Sequence, residues 1–488
     1  MLFFESTFIM GFVLLYGTYI FLRDKYRNHF ILLMSYFFYG TWDWRFLSLL
    51  LISTFIDYLV SNLMGTSSDA KRKKLLYVSI FANIGMLGIF KYYDFFAGSF
   101  ASLAGEVGFD VSPVFLNFVL PAGISFYTFQ TLSYTIDVYR KTCEAEKNPV
   151  NFAAYVAFFP QLIAGPIERA NDLLVQFSRS RVITIEGFVI GLRLFMWGVF
   201  KKLFIADNLG NIVDPVFASP SNFDTITLII ALYAFAFQIY CDFSGYTDMA
   251  RGLAKTMGFE LSINFNLPYF SKSLSDFWRR WHITLGSWIR DYVYIPLGGS
   301  RCSNWKVYRN LLLTMALCGL WHGAGLNFIL WGIYNGAIMA AERLFKDTKL
   351  TSFWHKMPNA LRVFICFNVV CFGWLLFRSP DLHVFYIYCT SIVKNFPTAY
   401  GLQDAANWSE LIEAMNESFL KGSLDDLVKF LIFVVPLLLV QVWQNKYKNP
   451  LFDIAWPSWL KGSVYGVLVI LVLTLGVSDG KQFIYFQF

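Results

Sequence analysis

An all-α, polytopic helical membrane bundle is the fold class this sequence predicts, and three observations predict it. Only 15% of the 488 residues are charged and 56% are hydrophobic, whereas about a quarter of an ordinary soluble domain is charged. Mean hydropathy is +0.49. Charge-free runs near spanning length recur, at residues 6–22, 111–136, 148–167, 225–241, 310–341 and 462–478. The runs are continuous and do not alternate apolar with polar, which argues against a closed β-barrel. Soluble enzyme, disordered scaffold and secreted disulfide protein are excluded. With shorter runs near residues 31–39, 46–56, 75–90, 363–377 and 430–443, roughly eleven to thirteen membrane segments are expected, some broken or re-entrant.

The elements follow in chain order. The first apolar run has Glu5 where a signal peptide carries basic residues, and Arg23, Lys25 and Arg27 come after it. It reads as a retained helix with its N-terminus outside. Arg23–Arg27 and the cluster Lys71-Arg72-Lys73-Lys74 are then cytoplasmic, with a turn at Trp42-Asp43-Trp44 between them. Residues 98–112, with Glu106 and Asp110 but no Lys or Arg, read as an outside connection.

The first 140 residues are nearly all membrane helix with short loops. Across residues 151–342 Gly, Pro, Trp and charge interrupt the apolar runs, as at Phe159-Pro160-Gln161 and Gly165-Pro166-Ile167. Broken backbone at membrane depth survives only where protein or water satisfies it, so a cavity is expected in this third. Residues 343–488 return to apolar helices around a polar excursion at 379–429, and an aromatic tail follows the last helix near 462–475. One integral-membrane domain covers 1–488.

Residues 271–309 hold Lys272, Arg279, Arg280, Arg290, Arg301, Lys306 and Arg309 against Asp276 and Asp291, which accounts for most of the net charge of +7. Tryptophans and tyrosines are interleaved. Two readings stand: a cytoplasmic loop held to anionic lipid, or a cationic platform for a phosphate-bearing donor such as a coenzyme A thioester. Nucleic acid is not expected as a partner, because interfacial placement accounts for the aromatics.

His322 lies in Gly319-Leu320-Trp321-His322-Gly323-Ala324-Gly325, inside the charge-free run 310–341. Counted as continuous helix from Arg309, it sits ~20 Å deep in a ~30 Å core. An ionisable side chain there marks a site or relay by default, and a neutral imidazole can act as general base to a hydroxyl. The plainer reading is a neutral histidine bonded to a neighbouring helix. The three glycines would leave room for a ligand. His282, in Arg279-Arg280-Trp281-His282, is either a second acceptor within the platform or an interfacial histidine. His29, His355 and His383 read as solvated. Asp242 and Asp248 end an apolar run, with a turn expected at Gly245; they orient a histidine, bind Arg251 or cap a helix. Seven scattered cysteines, without Cys-x-x-Cys or zinc spacing, predict no metal and no disulfide.

Taken together, Phe158-Phe159-Pro160-Gln161-Leu162-Ile163-Ala164-Gly165-Pro166-Ile167 and the stretches 238–248, 276–299 and 319–325 resemble the membrane-bound O-acyltransferase family. The similarity is to its bacterial alginate O-acetyltransferase-like branch and extends to the final Phe-Ile-Tyr-Phe-Gln-Phe. The resemblance implies helices arranged around a central funnel or tunnel. It implies that His322 is the essential histidine and His282 the second polar position. The donor- or substrate-binding candidates are Arg279, Arg280, Trp281, Arg290, Trp321 and Asp242. No tightly bound cofactor is implied; acetyl-CoA or another acetyl donor enters as substrate. The implied partners are membrane lipid, the acyl donor, periplasmic or extracellular acetyltransferase proteins, and a polysaccharide acceptor such as alginate or a cell-wall polymer. The setting is the bacterial cytoplasmic (inner) membrane. D-alanyl transfer to teichoic acid from a carrier protein is the nearest alternative. A transporter or channel with His322 in a proton relay is the alternative from another class.

Overall fold

Helices account for every regular element among the described residues, and no strand occurs among them. This computed structural model describes residues 3–399, 423–447, 457–477 and 483–484. Among the described residues, five stretches are long and apolar enough to cross a membrane: Asp24–Gly65, Asp69–Glu106, Thr225–Thr256, Asn359–Arg378 and Leu424–Tyr447. Two shorter apolar helices, Thr7–Phe21 and Trp459–Leu475, accompany them. Phe37, Phe55 and Phe81, 63–76% exposed, would be a liability in water but suit hydrocarbon. The all-α membrane class is as the sequence predicts.

The chain divides into two compact units. The first comprises Met1–Met196, Tyr246–Ile263 and Ser287–Tyr292. The Asp24–Gly65 stretch breaks where expected, since Asp43 is extended (φ −160°, ψ 110°) and its carboxylate accepts the Arg45 N–H. The expected connection at 98–112 begins later in the chain than predicted. After a π-helical turn at Gly88–Tyr92 the helix resumes over Tyr93–Glu106, because Phe95, Phe96, Phe100 and Leu103 prolong the apolar run. Residues 107–121 form the connection, pinned where the Asp94 carboxylate accepts the N–H groups of Leu116 and Asn117 (2.7 and 3.0 Å).

Three helices of this unit, Leu47–Gly65, Asp69–Leu87 and Ile124–Tyr139, bury a polar node. Asp57, fully buried, accepts hydrogen bonds from Ser79 Oγ (2.5 Å), Asn83 Nδ2 (2.8 Å) and Thr135 Oγ1 (3.2 Å). Ser53 Oγ in turn donates to Asn83 Oδ1 at 2.8 Å. A carboxylate away from water is tolerated only with such donors, so the node fixes the register of the three helices.

The second unit comprises Trp197–Gly245, Asn264–Gly286 and Val293–Phe488. Two sequence expectations are corrected here. Gly245 does not turn the chain, because Thr225–Thr256 is one helix of 32 residues running through it. A Cβ at Gly245 would lie 2.8 Å from the Gly198 carbonyl oxygen, so glycine serves close packing there. The run 310–341 is not one span. One helix, Asn304–His322, ends at the histidine, Gly323 is extended (φ −156°, ψ 149°), and a second helix runs over Leu326–Leu344. The two lie antiparallel and back to back. A Cβ on Gly319 would collide with the Phe328 carbonyl, and one on Gly332 with the Met315 carbonyl. The glycines around His322 therefore make room for the chain itself and not for a ligand. Of the expected excursion at 379–429, Leu382–Ala399 is helical and residues 400–422 lie outside the described residues.

Candidate active site

His282, His322 and the residues around them lie within the second unit. Glu342 opens the Leu274–Trp278 helix by accepting the N–H groups of Leu274 (2.6 Å) and Ser275 (3.0 Å). Ser273 Oγ accepts the Asp276 N–H at 3.1 Å. These side chains satisfy the orphan donors that a five-residue helix cannot satisfy internally. The helix unwinds after Trp278, and a new one begins at Ile283. His282 sits in the break in a left-handed conformation, φ 43°, which costs a non-glycine residue about 1 kcal/mol or more. Two main-chain bonds hold it there. Ile283 N–H donates to Asn264 O and Asn266 N–H to Arg280 O, both at 2.9 Å, so residues 264–266 run alongside 280–283 and fix their register.

His282 is fully buried. The Phe243 ring meets its imidazole edge to face at 4.7 Å, and the Trp321 ring centroid is 5.9 Å away. His282 lies outside the spanning helices, and burial pulls its pKa down to about 3, so the ring is neutral at physiological pH. The cause is desolvation and not the neighbouring cations. Nδ1 lies 3.2 Å from Asn264 Oδ1.

His322, 3% exposed, forms the C-terminal end of its helix. Trp321 (4.9 Å), Trp331 (5.2 Å, perpendicular) and Phe377 (5.4 Å) surround its ring. Trp321 thus stands within 6 Å of both imidazoles, and the two sequence-predicted histidines share an aromatic enclosure. Such walls exclude water and strengthen any charge interaction inside.

The other predicted residues fall differently. Trp281 has no exposed surface and packs on Trp374 (4.8 Å) and Phe277 (5.5 Å), so it builds the aromatic wall. Arg279 is exposed, while Arg280 bonds Asp276 at 3.0 Å. Arg290 belongs to the first unit, where it pairs with Asp291 at 2.8 Å. Asp242 is buried and paired: Lys202 Nζ lies 2.7 Å from both Asp242 and Asp207, and Asp242 Oδ2 accepts the Ile484 N–H at 2.7 Å. Phe483, next to Ile484, packs on Phe243 at 5.8 Å, so these two residues brace the ring that touches His282. His29, His355 and His383 are exposed, as expected. Sequence reasoning missed Asn264 and Lys202. Adjacent lysines inside the apolar stretch 199–206 were a readable signal for the second; a lone asparagine in a polar loop offered none.

Residues 38–379 match the membrane-bound O-acyltransferase family. The chain is 42% identical to the probable alginate O-acetylase AlgI of Pseudomonas aeruginosa, over 79% of this chain and 73% of that protein. It is 32% identical to the peptidoglycan O-acetyltransferase of Helicobacter pylori, over 94% and 91%. The teichoic acid D-alanyltransferase of Bacillus subtilis is 26% identical over 55% and 71%. A family of acyl-transferring enzymes displaces the transporter or channel reading, and its chemistry requires an acyl donor. The chain therefore belongs to the membrane-bound O-acyltransferase family and is a multi-pass membrane enzyme.

Proposed function

We propose that this enzyme moves an acetyl group from a cytoplasmic donor to hydroxyls of a polysaccharide outside the bacterial inner membrane, with alginate-like or cell-wall polymers as the acceptor class. One observation carries the assignment of residues: two buried imidazoles, His282 and His322, share the Trp321 ring at 5.9 and 4.9 Å. His322 takes the proton of the incoming hydroxyl as its oxygen attacks the donor carbonyl. The thiolate of the donor leaves, and the proton is returned to it. His282 orients or relays. Exposed Arg279 attracts a phosphate-bearing donor such as acetyl-CoA, whereas Arg280 and Arg290 are occupied by carboxylates. Partner proteins on the outer side pass the group on to the polymer.

The test is His322→Ala in cells, with acetate released from surface polymer by mild alkali as the readout. Acetate is expected to fall to background with membrane abundance unchanged. Normal acetylation in that variant overturns the assignment. The D-alanyltransferase relative favours a second reading, in which D-alanine is the cargo. Mass spectrometry of the released acyl group separates the two.

A further inference from the structure

We infer that Asn264 is a positioning residue that fixes His282 as the neutral tautomer protonated on Nδ1, placing the ring's basic lone pair on Nε2. This rests on the reading of His282 as a residue of the site.

The geometry supplies the argument. Asn264 Oδ1 stands at the centre of three contacts: the Thr284 N–H at 3.2 Å, Thr284 Oγ1 at 2.9 Å and His282 Nδ1 at 3.2 Å. A main-chain N–H can only donate, so the amide oxygen, and not the NH2 group, must face this corner. A ring nitrogen at hydrogen-bond distance from that oxygen must itself donate, since two lone pairs facing one another repel. His282 is neutral at physiological pH, so it carries a single ring proton, and the contact locates it on Nδ1. The bond on one ring nitrogen thereby sets the role of the other.

Asn264 acts on His282 twice. Its carbonyl oxygen accepts the Ile283 N–H, which holds the left-handed backbone at His282, and its side chain holds the ring. With Asn264 1% exposed and His282 without exposed surface, bulk water does not compete for the Nδ1 proton. The more common tautomer, protonated on Nε2, would set Nδ1 against Oδ1.

The test uses full-length protein in lipid nanodiscs, labelled with 15N-histidine and studied by solid-state NMR near neutral pH. One imidazole signal pair, identified by its loss in His282→Gln, is expected to report a protonated Nδ1 and a bare Nε2. In Asn264→Ala the same ring should shift toward Nε2–H. Asn264→Asp retains an acceptor, so it should keep the Nδ1 proton and move the ring's titration to higher pH, because a carboxylate favours the imidazolium. The discriminating readout is the tautomer in Asn264→Ala, which a purely structural asparagine would leave unchanged. In cells Asn264→Ala should lower polymer acetylation about 10- to 100-fold at equal abundance, with partial recovery in Asn264→Asp. A wild-type ring protonated on Nε2, or an identical tautomer in wild type and Asn264→Ala, overturns the inference. If Asn264→Ala fails to accumulate, the wild-type spectrum decides alone. Full acetylation in His282→Gln would instead remove the reading of His282 as a site residue, while the spectra judge the tautomer separately.

Discussion

At the scale of single residues, the candidate site depends on ionisable side chains held away from water. Lys202 is stabilised by two carboxylates, Asp207 and Asp242, and removing one member of such a group strands the others. His282 is treated differently, being kept neutral by burial. Its folded pKa is depressed to about 3, against roughly 6.5 in an unfolded chain. Between those values the unfolded chain binds the proton and the folded one does not. The contribution of His282 to stability is therefore complete above pH 6.5 and lost as pH falls toward 3, with a slope of at most about 1.4 kcal/mol per pH unit. Thermal unfolding of detergent-solubilised wild type and His282→Asn across pH 4–7 checks this. The variant should lose part of the acid sensitivity, and parallel curves would refute the assignment.

At the scale of elements, the antiparallel pair Asn304–His322 and Leu326–Leu344 determines where His322 sits. Glycines let the two backbones approach, as in many membrane helix pairs. Gly319→Ala would place a methyl group against the Phe328 carbonyl, forcing the helices apart at about 1–3 kcal/mol. Gly319 lies one turn before His322, so the imidazole should move with it. Acetylation should fall about 10-fold or more even where the protein accumulates. Measured acetate per unit of membrane-embedded protein decides, and unchanged activity would show that the hairpin does not set the ring's position. The five-residue helix before Arg279 has the same dependence on its surroundings. Without Glu342 and Ser273 as caps, so short a helix has too few internal bonds to persist.

At the scale of the whole molecule, the apolar runs specify a membrane protein, and the charge clusters suggest an orientation that labelling can test. We propose from the charge bias that Lys71–Lys74 faces the cytoplasm and the acidic connection near Asp110 faces outside. In a cysteine-free background, Asp110→Cys should react with a membrane-impermeant thiol reagent applied to intact spheroplasts. Lys73→Cys should react only after permeabilisation, and the reverse pattern would invert the orientation. Asp110 is exposed in the irregular connection, so reactivity there reports sidedness and not burial.

The sequence by itself determined the solvent, the helical class and the family resemblance, and it put forward two histidines as candidates. Each of these is written in local composition or in a short contiguous motif. His322 stood out because an ionisable residue in a charge-free run is costly wherever the helix lies. Only the tertiary structure decided what those residues touch. Asn264 and His282 are separated by 18 positions, and Lys202 and Asp242 come from different helices, so no periodicity links either pair. The break after His322 was hidden for a related reason: an apolar run of that length satisfies one tilted span as well as two packed helices. The choice lies in backbone contacts such as Gly319 on Phe328 and Gly332 on Met315, which form only once the two halves of the run fold back on one another.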